Sequence, residues 1–355
     1  MILRWIFALA MITTLIGIVA CERDDDEPFV NRDFSRLYIS FSDYTTNPQV
    51  ASPPNLGVIK RADSTNFGDV NGNFQDFQSR TFGGNAITFS PAAQRVFMSS
   101  INQVVSDTSL QIFTVGREGN LANNGKIDNK HANKVTGLVY YPSVDVLFGV
   151  DVSSSTIISY DIPKNRSGYM KVSRRFVIKD DLLPWAIAIH KNIIYVSRNG
   201  NNGGVDIYEG LISRRTDTLF NDVKPTRSLR IADTHNIQGM SLDTVNNVLA
   251  LTDYTTSGNT TSGRILLFEN FSELAKNGGN ITPTRVISGA NTGLIRPSDV
   301  ALDFKENSKY LYVADPGAKK VFRFLKTASG DDKPDSEFSY RNGASTPVGL
   351  SLDSR

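Results

Sequence analysis

Residues 296–325 read RPSDVALDFKENSKYLYVADPGAKKVFRFL and carry the pattern that decides the fold. Three short apolar runs, at residues 300–302, 310–314 and 321–325, are separated by polar turns at 305–309 and at Pro316-Gly317. Alternation with period two between turn residues is the pattern of β-strands, and the 3.6-residue period of a helix is missing. The stretch therefore predicts three short strands joined by two tight connections.

Versions of this unit recur along the chain. The inner strands of successive units start 51, 49, 53, 60 and 50 residues apart, at Asn85, Thr136, Trp185, Gln238, Ser298 and Val348. Second and third strands follow the starts, and weaker outer strands are visible at residues 176–178, 225–230 and 283–287. A repeat of about 40 to 50 residues with four short strands is typical of a propeller blade. The sequence thus predicts an all-β fold, a six-bladed β-propeller.

The two ends of the repeat are out of phase. The first unit begins on a second strand, at residues 37–40, and the chain finishes on an inner strand at residues 348–352. We expect the C-terminal strand to complete the first blade and close the ring, which protects sheet edges from aggregation. Two separate β-domains, the alternative, would not explain the missing first strand. Residues 35–355 are predicted to be one propeller.

Composition limits the class of protein. The 355 residues are 40% hydrophobic and 21% charged, as in ordinary folded domains. Lysine and arginine number 38 against 36 acidic residues, and basic tracts do not exceed pairs such as Arg174-Arg175. Nucleic acid is therefore not an expected partner.

Residues 1–20 have the pattern of an export signal. Arg4 precedes an uncharged, mostly apolar run at 5–20, which is short for a membrane-spanning helix. Residues 18–21 (IVAC) resemble the lipobox of bacterial lipoproteins, in which the cysteine is lipidated and becomes the new N-terminus. Cys21 is the only cysteine of the chain, so no disulfide framework is expected. A plain secretory signal is the alternative.

An acidic segment, ERDDDE, follows at residues 22–27. It resembles the surface-export signal of lipoproteins from the Bacteroidetes group, and a simple solvated tether is the alternative. Residues 21–34 are in either case predicted to be the lipidated cysteine and a tether. The resemblances imply an outer-membrane lipoprotein, held by an acyl chain such as palmitate, that faces either the periplasm or the cell surface.

Three segments of the opening stretch resemble an NHL repeat: residues 297–303, 311–315 and 321–324. Residues 237–243 with 249–253 are a looser copy, and the likeness extends over most of residues 35–355. Propellers of this kind serve as binding platforms, and related families act as sugar lactonases and lyases. Likeness of fold does not choose among these functions.

The predicted binding surface is the channel mouth, the ring formed by the first residues of the six inner strands. Loops at residues 44–55, 102–109, 199–204 and 254–263 are expected on the same face, where recognition is common. Trp185 suits stacking on a sugar ring, although it would equally serve as an apolar filler. The candidate ligand-binding residues are Asn85, Thr136, Trp185, Arg198, Gln238, Ser298 and Asp299.

Several charged residues near this surface have structural interpretations. The aspartates that end second strands are expected mainly to cap backbone amides: Asp151, Asp253 and Asp315. Arg198 replaces that aspartate in its repeat and suits a structural ion pair as well as an anion site. Asp299 is the carboxylate at the mouth that the repeat pattern does not explain.

An enzyme is the main alternative to a binding protein. Calcium-dependent lactonases of the gluconolactonase-like group hold the metal with a glutamate, an asparagine and an aspartate on inner strands. This chain offers Asn85 and Asp299 but no glutamate at any inner-strand start, and its three histidines fall in different repeats. We therefore predict no catalytic residues, no metal site and no cofactor. If the protein were a lactonase of this group, calcium would be the ion it requires.

The sequence as a whole predicts a lipid-anchored propeller of the cell envelope. The lipid on Cys21 is expected to attach the protein to the membrane. The channel mouth is predicted to bind a glycan, a peptide or another envelope protein. The alternative function is a metal-assisted hydrolase of the sugar-lactonase type.

Overall fold

The computed structural model of the chain describes residues 35–101, 107–128, 131–165, 168–214 and 218–354. These residues form six β-sheets of four or five strands each. Successive sheets are bridged by hydrogen bonds between their inner strands, from Asn85 to Val135 and from Thr136 to Trp185 for example. The predicted six-bladed β-propeller is confirmed.

The first three blades are described from the central channel outward. Blade 1 contains β27 (Pro347–Ser354), β1 (Ser35–Phe41), β2 (Leu56–Ile59) and β3 (Phe74–Phe77). Blade 2 contains β4 (Ile87–Ser90), β5 (Arg95–Ser99), β6 (Leu110–Val115), β7 (Leu121–Asp128) and β11 (Gly168–Tyr169). Blade 3 contains β8 (Val135–Tyr141), β9 (Val146–Asp151), β10 (Thr156–Asp161), β12 (Arg174–Val177) and β16 (Leu219–Phe220).

The other three blades follow the same order. Blade 4 contains β13 (Leu183–His190), β14 (Ile193–Asn199), β15 (Gly204–Glu209), β17 (Arg227–Arg230) and β21 (Gly279–Asn280). Blade 5 contains β18 (Met240–Asp243), β19 (Val248–Ser257), β20 (Thr260–Glu269) and β22 (Arg285–Ser288). Blade 6 contains β23 (Asp299–Leu302), β24 (Tyr310–Asp315), β25 (Lys320–Leu325) and β26 (Ser336–Phe338). Within the described ranges the helices are α1 (Phe271–Asn277) and the 3-10 turns Pro142–Val144, Pro163–Asn165, Ala290–Thr292 and Arg341–Gly343.

The two ends of the described chain meet in blade 1. β1 pairs antiparallel with β27 along its whole length, from Ser35 opposite Ser354 to Phe41 opposite Pro347. The C-terminal strand therefore supplies the inner strand that the first repeat lacks, as the sequence predicts. This pairing closes the ring.

Apolar side chains form six clusters in the described residues, and each cluster lies between two neighbouring blades. Between blades 6 and 1, for example, Tyr312, Phe338 and Leu350 pack together. Because both faces of every blade are covered in this way, a single blade has no complete core of its own. The alternation seen in the sequence is the pattern of these two-faced sheets.

Outer edges of several blades are covered by short segments from the blade that follows in sequence. β11 adds to β7, β16 adds to β12 and β21 adds to β17, in each case in parallel. A parallel bridge from Ile287 to Gly330 extends the pattern to blade 5. Such coverage hides backbone groups that would otherwise pair with other chains.

Two features differ from the sequence-based prediction. The sequence predicts four strands per blade but does not locate the outer strands β3, β7 and β26, because exposed edge sequences such as LANNGKID lack a clear apolar alternation. The predicted loop at residues 254–263 is instead a hairpin, which extends β19 and β20 as far as the pair Ser257 and Thr260. Its threonines favour extended backbone, and the two-residue turn has Gly258 at φ +59°.

Within the described ranges, no helix has the length and apolar character needed to cross a bilayer. The predicted signal segment, Cys21 and the acidic tether lie outside the described residues.

Candidate functional site

The central channel contains two cavities that meet at its waist. The mouth cavity, about 400 Å³, opens at the ends of the second strands, and one inner-strand start from each blade lines it: Asn85, Thr136, Trp185, Gln238, Ser298 and Val348. The lower chamber, about 350 Å³, runs along the inner strands to the opposite face. Four residues line both cavities and form the waist: Ala86, Thr136, Ala186 and Asp299.

Three of the candidate ligand-binding residues use their side chains to join blades. The Asn85 amide donates to the Val135 carbonyl over 2.8 Å, and the Thr136 hydroxyl donates to the Trp185 carbonyl over 2.8 Å. The Ser298 hydroxyl donates to the Val348 carbonyl, also over 2.8 Å. These groups hold the ring together at its narrowest part, so the hydroxyl protons of Thr136 and Ser298 and one N–H of the Asn85 amide are already used.

The other three blade junctions have hydrogen bonds of the same kind. Ser40 donates to the Asn85 carbonyl, and Ser197 donates to the Gln238 carbonyl over 2.9 Å. Between blades 5 and 6, the backbone N–H of Leu302 donates to the Ser241 hydroxyl over 3.0 Å. All six junctions therefore carry a polar bridge beside the channel, and the position of each inner strand is fixed by its neighbours.

Register shifts help to aim residues into the mouth cavity. β8 shifts register against β9 between Val135 and Gly137, and β13 shifts against β14 between Pro184 and Ile187. The extra residues in these irregularities include Thr136 and Trp185. Bulges commonly re-aim side chains beside functional sites.

The candidates Trp185 and Gln238 have side chains that form no hydrogen bond within the described part of the chain. Both are partly exposed and line the mouth cavity. Tyr254, at the base of the hairpin formed by β19 and β20, lines the same cavity. An indole, a phenol ring and an unpaired amide at one opening are the groups that hold sugars by stacking and hydrogen bonding.

Asp299 lies at the waist of the channel. Its carboxylate accepts hydrogen bonds from the backbone N–H of Leu350 over 2.8 Å and of Val300 over 2.9 Å. Burial raises the pKa of Asp299 to about 7, and the two N–H donors only partly offset that effect. Near neutral pH both the protonated and the charged form of this carboxyl group are therefore populated, as a general acid or base requires.

The aspartates at the ends of second strands cap backbone amides, as the sequence predicts. Asp151 accepts from the N–H of Lys134 over 3.0 Å, Asp253 from Asn236 over 2.7 Å and Asp315 from Arg296 over 3.0 Å. In each blade the bond fixes the segment that leads into the inner strand. Burial raises the pKa of Asp315 despite its several N–H donors.

Arg198 is fully buried and does not line the mouth cavity. Its guanidinium lies 3.1 Å from Asp180 and 3.2 Å from Asp206, and it donates to the Leu182 carbonyl over 2.5 Å. Arg230 also pairs with Asp206, at 2.8 Å. The structure therefore places this candidate in a structural ion-pair network below the surface.

The sequence-based prediction missed two cations of the mouth cavity, Lys134 and Arg296. Both are exposed, and neither side chain forms an ion pair or hydrogen bond within the described residues. Their positions carried a signal in the sequence, because each lies two residues before an inner-strand start. Other blades have an uncharged residue there: Gly83, Leu183, Asn236 and Thr346.

Histidines and acidic residues do not gather at the channel. Among the described residues, no group of three or more His, Cys, Asp or Glu side chains is placed to hold a metal ion. His235 is an exposed loop residue whose N–H donates to Asp253. His190 lines the lower chamber, where burial and then Lys191 lower its pKa.

No protein-family model matches the chain, and no curated protein matches it. A chain from a nidogen–laminin complex matches with a TM-score of 0.58 and 12% identity, over 90% of this chain and 98% of that one. A putative 6-phosphogluconolactonase from Bacteroides fragilis matches with a TM-score of 0.55 and 11% identity, over 92% and 100%. A second one, from Bacteroides uniformis, has a TM-score of 0.51 and 11% identity, over 91% and 100%.

These likenesses show the propeller fold alone. At such low identity, neither the binding function nor the hydrolase function follows from them. The chemistry available at the channel mouth is stacking by two aromatic rings, hydrogen bonding by Gln238, two free cations and one carboxyl group at the waist.

Proposed function

We propose that this protein is a lipid-anchored binding module of the cell envelope that holds a glycan in its mouth cavity. The observation that carries the proposal is the pairing of Trp185 and Tyr254 with the unpaired Gln238 amide in one opening of about 400 Å³. Aromatic rings cover the apolar faces of sugars, and amides bind their hydroxyl groups. A peptide or an envelope protein is a different occupant, for which the exposed rim residues Phe82, Leu183 and Ile295 would supply contacts.

Glycan binding is tested by isothermal titration of the full-length protein with a panel of neutral and acidic oligosaccharides. The Trp185→Ala variant should lose at least about fivefold in affinity, because removal of one aromatic ring costs about 1–3 kcal/mol where bases stack on such side chains. Tyr169→Ala is the matched control, since Tyr169 is 62% exposed on the outer edge of blade 2. Unchanged affinity in the Trp185 variant, or no binding by any oligosaccharide, would contradict the proposal.

A hydrolase of the sugar-lactonase type is the second candidate, and Asp299 is the observation that favours it. A carboxyl group with a pKa of about 7 suits proton transfer at neutral pH. Asn85 and Asp299 both line the mouth cavity, and their side-chain oxygens would be the calcium ligands. Turnover of sugar lactones by the wild type, together with its loss in Asp299→Asn, would support this candidate over a pure binding module.

The membrane anchor is tested separately from the ligand. We expect Cys21 to incorporate a labelled fatty acid such as palmitate and the protein to sediment with outer membranes. Cys21→Ala should abolish both. Protease treatment of intact cells then distinguishes a surface location from a periplasmic one, because only a surface protein is cleaved.

A further inference from the structure

Two cations occupy equivalent positions on opposite sides of the channel mouth. Lys134 leads into the inner strand of blade 3, and Arg296 leads into that of blade 6. In a ring of six blades, blades three apart face one another across the axis. The two side chains therefore approach the mouth cavity from opposite directions.

The backbone of both residues is fixed in the same way. The N–H of Lys134 donates to Asp151 over 3.0 Å, and that of Arg296 donates to Asp315 over 3.0 Å. Both aspartates are fully buried. Asp151 also accepts from the Ser153 hydroxyl over 2.7 Å, and Asp315 accepts from the Ile295 N–H over 2.7 Å. Each cation is thus presented from a rigid base, while its own charge stays unpaired.

Groups between the two cations can hold an uncharged ring. Trp185 of blade 4 and Gln238 of blade 5 lie on the arc from Lys134 to Arg296. Asp299 is the acidic residue lining the mouth cavity, and it lies at the floor of that cavity. The wall of the opening therefore attracts anions at two points. Between those points it offers an apolar ring and a hydrogen-bonding amide.

We propose that the ligand is a small saccharide with two anionic groups, one held by Lys134 and the other by Arg296, with a sugar ring on Trp185. This inference rests on the proposed glycan-binding function and specifies its substrate class. Hydrogen bonds between a charged donor and an anion are stronger than neutral ones, and two of them across a cavity also fix the ligand's orientation. Carboxylates and phosphates satisfy this chemistry equally.

The proposal is tested by titrating the full-length protein with three matched probes. Digalacturonic acid carries two carboxylates, galactobiose is a neutral disaccharide of similar size, and fructose 1,6-bisphosphate carries two phosphates. We expect at least tenfold tighter binding of one of the two anionic probes than of galactobiose, weakening as salt is added. Because the bisphosphate carries the larger charge, binding of only one of the two anionic probes, rather than a difference in strength, distinguishes carboxylate from phosphate.

Lys134→Gln and Arg296→Gln should each weaken binding of the anionic probe about tenfold and leave galactobiose binding unchanged, since each removes one charge-assisted contact. Lys60→Gln, on an exposed turn of blade 1 away from the mouth cavity, is the control and should have no effect. Equal affinity for galactobiose and the two anionic probes, or an effect of only one of the two variants, would overturn the two-anion inference. If galactobiose binding is nevertheless lost in Trp185→Ala, the proposed glycan-binding function stands without the two-anion inference. No binding of these probes or of any oligosaccharide of the panel overturns both.

Discussion

Asp299 shows how the surroundings of one residue change its chemistry. Six inner strands converge near the axis, and Asp299 lies where the two cavities meet, with Leu350 and Val300 as its backbone donors. Burial keeps its pKa near 7 because removal of solvent disfavours the charged form. The sequence singled out this residue as the carboxylate outside the repeat pattern, but its pKa depends on neighbours from another blade.

The raised pKa of Asp299 has a defined effect on stability. A carboxyl group whose pKa is higher in the folded state than in the unfolded state stabilises the fold at low pH, and that stability is lost as pH rises from about 4 to about 7. We expect Asp299→Asn, which stays neutral, to be more stable than the wild type at pH 8 and to show a smaller loss of stability between pH 5 and pH 8. Urea unfolding at both pH values measures this difference. Identical pH dependence in the two proteins would show that Asp299 keeps an ordinary pKa.

At the scale of elements, the inner strands could be predicted from sequence more fully than their surroundings. Their apolar alternation survives because both faces are buried between blades, as at Ile187 and Leu350. Outer strands such as β7 and added strands such as β11 are short and polar, and they form only because a neighbouring edge is present. The same holds for the residues of the candidate site. The repeat pattern alone predicts that Trp185 lies at the channel mouth. That Lys134 and Arg296 face each other becomes clear only from the order of the blades in the ring.

Close approach of inner strands depends on a glycine at the junction of blades 5 and 6. A Cβ atom on Gly239 would lie 2.4 Å from the Cα of Asp299. We expect Gly239→Ala to destabilise the protein by about 1–3 kcal/mol, because backbone cannot yield as a flexible side chain does. Chemical denaturation measures the loss, and Gly116→Ala, whose Cβ would meet its nearest neighbour at 3.4 Å, should be close to neutral. Equal stability of the two variants would mean that blades 5 and 6 can separate at little cost.

For the whole molecule, stability depends on closure of the ring. β27 contributes one side of blade 1, a Leu350 side chain in the cluster between blades 6 and 1, and the carbonyl that accepts from Ser298. These interactions join segments that are more than 300 residues apart in sequence, such as Ser40 and Gly349. Closure therefore couples the first and last blades into one cooperative unit.

Removal of residues 347–355 should abolish that cooperativity. We expect a broad thermal transition, early hydrogen exchange in β1, and partial recovery when a synthetic peptide of residues 345–355 is added, because β1 is left as an open edge. Hydrogen exchange with mass spectrometry follows β1 directly. A truncated protein that still melts in one sharp step with β1 protected would show that the ring holds without its closing strand.

The direction of β1 determines the face on which the chain enters the propeller. β1 ends at Phe41, and the next residue, Ser42, lines the mouth cavity, so the strand begins at Ser35 about 20 Å away, on the opposite face. With the proposed lipid on Cys21, only the fourteen residues 21–34 separate the acyl chain from that face. The described chain therefore enters the propeller on the face opposite the mouth cavity. The segment that precedes Ser35 joins the domain there, so the opening at Lys134 and Arg296 is not the point of attachment.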